Sequence, residues 1–234
     1  LGFANAIPRG NIGIVAAAGT GLQEVSTLIA KAGAGITQGI GVGGRDVSEA
    51  VGGIMLLEGL KVLQADPGTR VIVVVAKMTA PSVTEKILTQ VEQSDKPTVL
   101  ALMSANPKSQ TPNLNLHAER LIATDLRDAA TIAIALSHGE SVGAARKELA
   151  DEDKAIAIKA RALRRKLNAR QKYLRGLYSG GTLCEETMRI WQASLGGVWS
   201  NAPLDPKFKL ADSNKSKRHT AVDLGEEEFT IGRP

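Results

Sequence analysis

Aromatic side chains are scarce: two Trp, two Tyr and three Phe make up 3% of the 234 residues. So few rings deny the chain the stacking platforms on which single-strand nucleic-acid binders rely, and no nucleic-acid partner is expected. The core must instead be built from Ala, Val, Ile and Leu, which suits buried parallel strands and the helices that cover them. Cysteine is nearly absent; the single copy, Cys184, excludes an internal disulfide and agrees with a reducing, cytoplasmic compartment. Neither that cysteine nor the three histidines show zinc-ligand spacing, so no metal is expected. No apolar run approaches the roughly 20 residues of a membrane-spanning helix and no signal peptide is visible, so no membrane partner is expected either. Negative charge is in deficit, and the net charge of +5 favours an anionic ligand.

What is present begins with the stretch Gly10 to Glu24. Its apolar run Ile12 to Ala17 reads as a buried strand, and Gly19-Thr20-Gly21 turns the chain into a helix with Leu22, Val25, Leu28 and Ile29 on one face. The first N–H groups of such a helix lack internal partners and carry the positive end of its dipole, so a phosphate or carboxylate can sit there. Thr20 can add a hydroxyl to that site or simply cap the helix.

Further strands are expected within Ile36 to Asp46, a short strand with a glycine-rich end, and at Val71 to Val75 and Pro97 to Met103. Between them, a helix capped by Asp46 or Ser48 is expected to run to about Ala65 with Val47, Val51, Ile54, Leu57 and Leu60 inward, and another follows Pro81. Strand and helix alternating at this spacing predict an α/β doubly wound parallel sheet with right-handed crossovers. Ligands of such sheets collect beyond the carboxyl ends of the strands, which here are the loops 18–22, 41–46, 77–82 and 104–113.

Residues 1–139 thus read as a first domain. Residues 140–172 read as a connector, a polar stretch with a short helix to Asp153 followed by a basic helix from Ala155 to Leu167 with a solvated face. From Tyr173 the opening pattern returns: setting Gly181-Thr182 on Gly19-Thr20 places Glu186 on Glu24. Residues 173–234 are therefore expected to be the start of a second, similar domain, with a single strand candidate at Thr220 to Leu224 and the later βα units missing, as in a piece of a larger protein.

The run Gly10 to Val15 with Gly19-Thr20, followed by Gly41-Val42-Gly43-Gly44-Arg45-Asp46, resembles the ligase domains of the succinyl-CoA synthetase α-subunit superfamily, the NDP-forming acyl-CoA synthetases. Leu174 to Leu183, then His219-Thr220, Asp223-Leu224-Gly225 and Gly232-Arg233-Pro234, resembles the FdrA family within it. The resemblance implies flavodoxin-like ligase domains, a CoA-binding Rossmann domain upstream, and a phosphoryl group held at a helix start, here Gly19-Thr20 with Gly181-Thr182 as counterpart. Two departures stand out. The synthetases carry a Gly-His-Ala-Gly-Ala loop where this chain reads Ser104 to Pro112, the nearest histidine being His117, and they place a glutamate where Lys77 stands.

The FdrA resemblance further implies ureide and purine breakdown and carbamoyl transfer involving oxamate or oxalurate. The expectation is then a carbamoyl transferase or acid-thiol ligase, with Lys77 and His117 as catalytic candidates and Gly19, Thr20, Gly21, Gly43, Gly44, Arg45, Gly181 and Thr182 as the anion-binding set. CoA or a nucleotide would bind through regions outside this chain, the partner would be a small anionic substrate such as an acyl or carbamoyl phosphate, and a homo- or hetero-oligomer is expected. The alternative is a non-catalytic subunit or ligand-binding module that keeps the ligase fold without the phosphohistidine. His138 is expected to sit at a helix end and Cys184 to pack in a core.

Overall fold

A computed structural model describes residues 6–77, 79–102 and 121–232. His117 and the whole loop 104–113 expected at the site lie outside these residues. The chain divides into two compact units, residues 1–154 and 155–234.

The first unit is a parallel sheet in the order β2-β1-β3-β4, formed by β1 (Arg9–Ala16), β2 (Ile36–Gly41), β3 (Val71–Ala76) and β4 (Thr98–Leu102). Ile122 bridges Leu100 in parallel beyond β4. This is the doubly wound parallel sheet that the alternating pattern predicts, in the flavodoxin-like order that the resemblance implies. β3, Val71-Ile72-Val73-Val74-Val75-Ala76, is buried at every position, as a central strand covered on both faces must be.

Helices α1 (Gly19–Lys31) and α4 (Leu126–Ser137) pack together on one face. Helices α2 (Ile54–Ala65) and α3 (Pro81–Val91) cover the other, where Val15, Leu56, Leu60, Leu63, Val74, Val83, Ile87 and Leu100 share one apolar cluster. On α1 the buried residues Leu22, Val25, Ser26 and Ile29 follow the helical period. His138 is the C-cap of α4, as expected of it.

Three expectations are corrected. The second helix starts at Ile54 rather than near Ser48, because Gly52 and Gly53 both have φ of +77° and hold the chain in successive turns. Val51 and Ile54, expected inward, are 39% and 60% exposed, since the later start rotates Leu56, Gly59, Leu60 and Leu63 onto the sheet instead. The short helix and the basic helix are one continuous element, α5 (Val142–Arg164). Nothing between Asp153 and Ala155 breaks a helix, and the Ala-rich sequence Ala155-Ile156-Ala157 carries it onward. Its first half is anchored by buried Ala145 and Leu149 and by Arg127 paired with Glu152 and Asp153.

In the second unit β5 (Arg175–Tyr178) and β6 (Thr220–Asp223) pair in parallel, and α6 (Gly181–Leu195) packs on both. Cys184, Met188, Val198 and Ala221 form its small core. A 3-10 turn at Pro206–Phe208 and the short helix α7 (Glu227–Thr230) complete the described elements.

Candidate functional site

The carboxyl ends of β1, β2 and β3 leave the sheet in register. Ala16 pairs with Gly41 on one side and Val75 on the other; Val42 N then donates to Ala16 O at 2.9 Å and Ala17 N to Val75 O at 2.8 Å. The chain goes to opposite faces after β1 and β3, so the crevice between their exits is the topological switch point of the sheet. Gly19 and Lys77, each within three residues of the Ala16–Val75 pair, flank that crevice.

The loop after β2 closes one side of it. A Cβ on Gly44 would lie 3.5 Å from Ala17 O, so residues 42–45 run close to the exit of β1. Ala80 N donates to Val47 O at 3.0 Å and Ser82 Oγ to Glu49 Oε2 at 2.7 Å, which fastens the same loop to the segment after β3. Gly43 takes φ of +82° with open space around it, and Arg45 is exposed on this loop.

Four helix starts point toward this edge, and they differ in how their N–H groups are satisfied; at α4 the Asp125 carboxylate accepts from Asp128 N at 2.7 Å. At α2 the Asp46 carboxylate accepts from Met55 N and Leu56 N, both at 2.9 Å, so the chain supplies its own anion. At α3 the first residue is Pro81, which has no N–H, while Val83 N and Thr84 N turn back to Ala80 O. At α1 the N-cap is Ala18, whose methyl side chain offers no acceptor, and the N–H groups of Gly19, Thr20 and Gly21 have no partner among the described residues. Thr20 is the second residue of the helix and does not cap it.

Lys77 is partly buried and has no ion pair or hydrogen bond among the described residues. Helix start, Lys77 and Arg45 all contribute positive potential, while the nearby carboxylates of Asp46 and Glu49 are engaged elsewhere. The crevice thus combines open N–H groups at α1 with cationic side chains on the segments after β2 and β3. Thr79 is a residue the sequence did not single out: its hydroxyl meets that of Thr84 at 2.6 Å, in the interior, and ties Thr79 to α3. A threonine placed two residues before a helix-starting proline was the available signal.

The other expected anion-binding residues fall in the second unit. Gly181 and Thr182 are the first two residues of α6, as Gly19 and Thr20 are of α1, and the N–H groups of Gly181, Thr182 and Leu183 likewise have no partner among the described residues. The environments differ: Thr182 is buried, whereas Thr20 is half-exposed. Cys184, one turn into α6, is buried in the apolar cluster of that unit. His138 lies at the amino-terminal edge of the first sheet, beside Thr69 and Pro97 and away from the crevice. Among the described residues no group of three potential metal ligands occurs, and no helix is long and apolar enough to cross a membrane.

No family model matches the chain. It is 40% identical over 234 residues to the uncharacterized protein YahF of Escherichia coli (strain K12), a match that takes in all of this chain and 43% of that protein. The chain thus spans less than half the length of this curated relative. Among solved structures it is similar to the apo form of a dinucleotide forming acetyl-coenzyme A synthetase 1 from Ca. Korarchaeum cryptofilum, over 80% of this chain and 37% of that one, with a TM-score of 0.43 and 15% identity.

Proposed function

We propose that the first unit holds a small anionic acyl, carbamoyl or phosphoryl group at the start of α1, within an acyl-CoA-synthetase-like protein of the FdrA type. The observation that carries this reading is the contrast among the helix starts: α2 is filled by Asp46 and α4 by Asp125, α3 begins with a proline, and at α1 three N–H groups have no partner among the described residues, as Lys77 after β3 has none. Such preorganised donors can stabilise charge that develops on a transferring group. Carbamoyl transfer to or from oxamate, in ureide or purine breakdown, fits a site of this polarity, as does an acid-thiol ligase reaction. CoA or a nucleotide would then come from regions outside this chain, and an oligomer would bring them together. The tripartite organisation into ligase domain, connector and start of a second ligase domain belongs to the same reading.

A second reading, a binding module that leaves chemistry to another polypeptide, is favoured by one observation: among the described residues no histidine lines the crevice. The test is thermal unfolding with inorganic phosphate, acetyl phosphate, carbamoyl phosphate and oxamate. A ligand at 100 times its dissociation constant adds about 2.7 kcal/mol of stability. Stabilisation by one of these anions is expected, reduced in Lys77→Ala and abolished in Lys77→Glu. Stabilisation that Lys77→Glu leaves intact would remove the crevice from consideration, and turnover of carbamoyl phosphate by the chain alone would exclude the binding-module reading.

A further inference from the structure

Three of the seven aromatic residues, Tyr173, Trp199 and Phe208, meet at one place in the second unit, where with Lys217, Arg218 and His219 they line a cavity of about 450 Å³. That volume is in the range of small-molecule sites. It lies at the amino-terminal end of β5 and β6, since His219 precedes Thr220 and Leu174 precedes Arg175; the start of α6 is at the other end of the strands. Nothing in the anion-site reading above involves it.

Its walls are built rather than incidental. Trp199 and Phe208 meet edge to face at 5.7 Å, and Phe208 packs so tightly on Gly197 that a Cβ there would overlap the ring. Tyr173 and His219 meet in the same manner at 5.4 Å, and His219 Nδ1 accepts the Leu174 N–H at 3.1 Å. That bond makes Nε2 the protonated nitrogen of the neutral ring and so a hydrogen-bond donor. The cations lack carboxylate partners: Lys207 and Lys215 pair with Asp205 and Asp212, whereas Lys217 and Arg218 have no acidic partner among the described residues. Lys217 Nζ instead rests 3.5 Å from the centroid of the Trp199 ring. Arg218 is the non-glycine residue with positive φ among the described residues, at +52°, a conformation that costs about 1 kcal/mol or more and persists where the surroundings impose it.

We propose that this cavity binds a planar aromatic group bearing an anionic substituent, the chemistry shared by nucleotides and aromatic carboxylates. The ligand ring takes the face of Trp199 that Lys217 covers, and Lys217 moves with Arg218 onto the anion, with the His219 Nε2–H as a further donor. Ring stacking and charge pairing are both required: the indole face has no preference for inorganic phosphate, and the two cations have none for an uncharged ring.

The test is a fluorescence titration of the 234-residue chain carrying Trp191→Phe, so that Trp199 is the emitting indole, with AMP, benzoate and inorganic phosphate as probes. Saturable quenching by AMP or benzoate is expected, the tighter of the two naming the source, with phosphate far weaker. Lys217→Ala and Arg218→Gly are each expected to weaken binding about tenfold or more, the range for loss of a charge-assisted hydrogen bond. Arg218→Gly suits the positive φ, so its fold is retained or improved and a loss reports the missing cation. Thr20→Val, in the other unit, is expected to leave the titration unchanged, which separates this cavity from the α1 site. The proposal is overturned if neither AMP nor benzoate saturates by about 10 mM. It is equally overturned if phosphate binds as well as AMP, or if both cation variants bind like the parent.

Discussion

Asp46 shows how much one buried side chain can decide. It accepts two N–H bonds at the start of α2 from a loop position well before the helix, and its own carbonyl accepts Gly53 N at 2.8 Å. Asp46→Ala is expected to cost about 1–2 kcal/mol in chemical denaturation, the upper range for a lost cap, and Asp46→Asn less, because the amide oxygen keeps one bond. A capping role for Asp46 was legible from its residue type ahead of an apolar helix; the length of loop it spans was not. Asp66 gives a pH-dependent case. The Thr69 hydroxyl, bonded at 2.7 Å, and then the Gly68 N–H stabilise its charged form and hold its pKa below the ordinary 3.8. A carboxyl depressed on folding contributes stability that is present above its unfolded value and is lost as pH falls through the lower folded one. Carboxyl-carbon NMR titration should therefore find Asp66 below 3.8 and Thr69→Val should bring it back up.

Among the elements, α2 is seated closely on the sheet at Gly59. A Cβ at Gly59 would come within 2.8 Å of Val15 Cγ2 and 3.3 Å of Ile40 Cγ2, both on strands beneath it. Glycine in a helix interior costs about 1 kcal/mol relative to alanine, so propensity alone predicts that Gly59→Ala stabilises. Packing argues the other way, at about 1–3 kcal/mol for overfilling a close-packed core. Packing is expected to win: Gly59→Ala should lower the denaturation midpoint and Gly59→Val should lower it further. A midpoint raised by Gly59→Ala would mean that α2 can lift off the sheet at little cost. The strands and the starts of α1 and α6 were readable locally, from β-branched runs and from Gly-Thr after a strand. The start of α2 was not, because the two left-handed glycines that delay it lie inside an apolar-periodic stretch that continues across them.

On the scale of the whole chain, residues 151–175 are exposed at every position, and eight lysines and arginines lie between Lys154 and Lys172. On either side stand separate apolar clusters, one around Leu60 and Val74, the other around Met188 and Val198. Limited trypsin digestion is expected to cut first between Lys154 and Lys172 and to spare the half of α5 anchored by Ala145 and Leu149. Early cuts within 19–91 instead would overturn this expectation. The sequence by itself determined the alternation of strands and helices, hence the parallel doubly wound sheet, and the repeat of the strand-glycine-helix start. Those signals are carried by backbone propensity and apolar period within a dozen residues, so no distant partner is needed to read them. Only the tertiary structure decided which helix starts are open, because a cap such as Asp46 arrives through a loop. It alone also brought Tyr173, Trp199 and Phe208 together with Lys217 and Arg218, since side chains that far apart in the sequence meet through the pairing of β5 with β6 and leave no local period to detect.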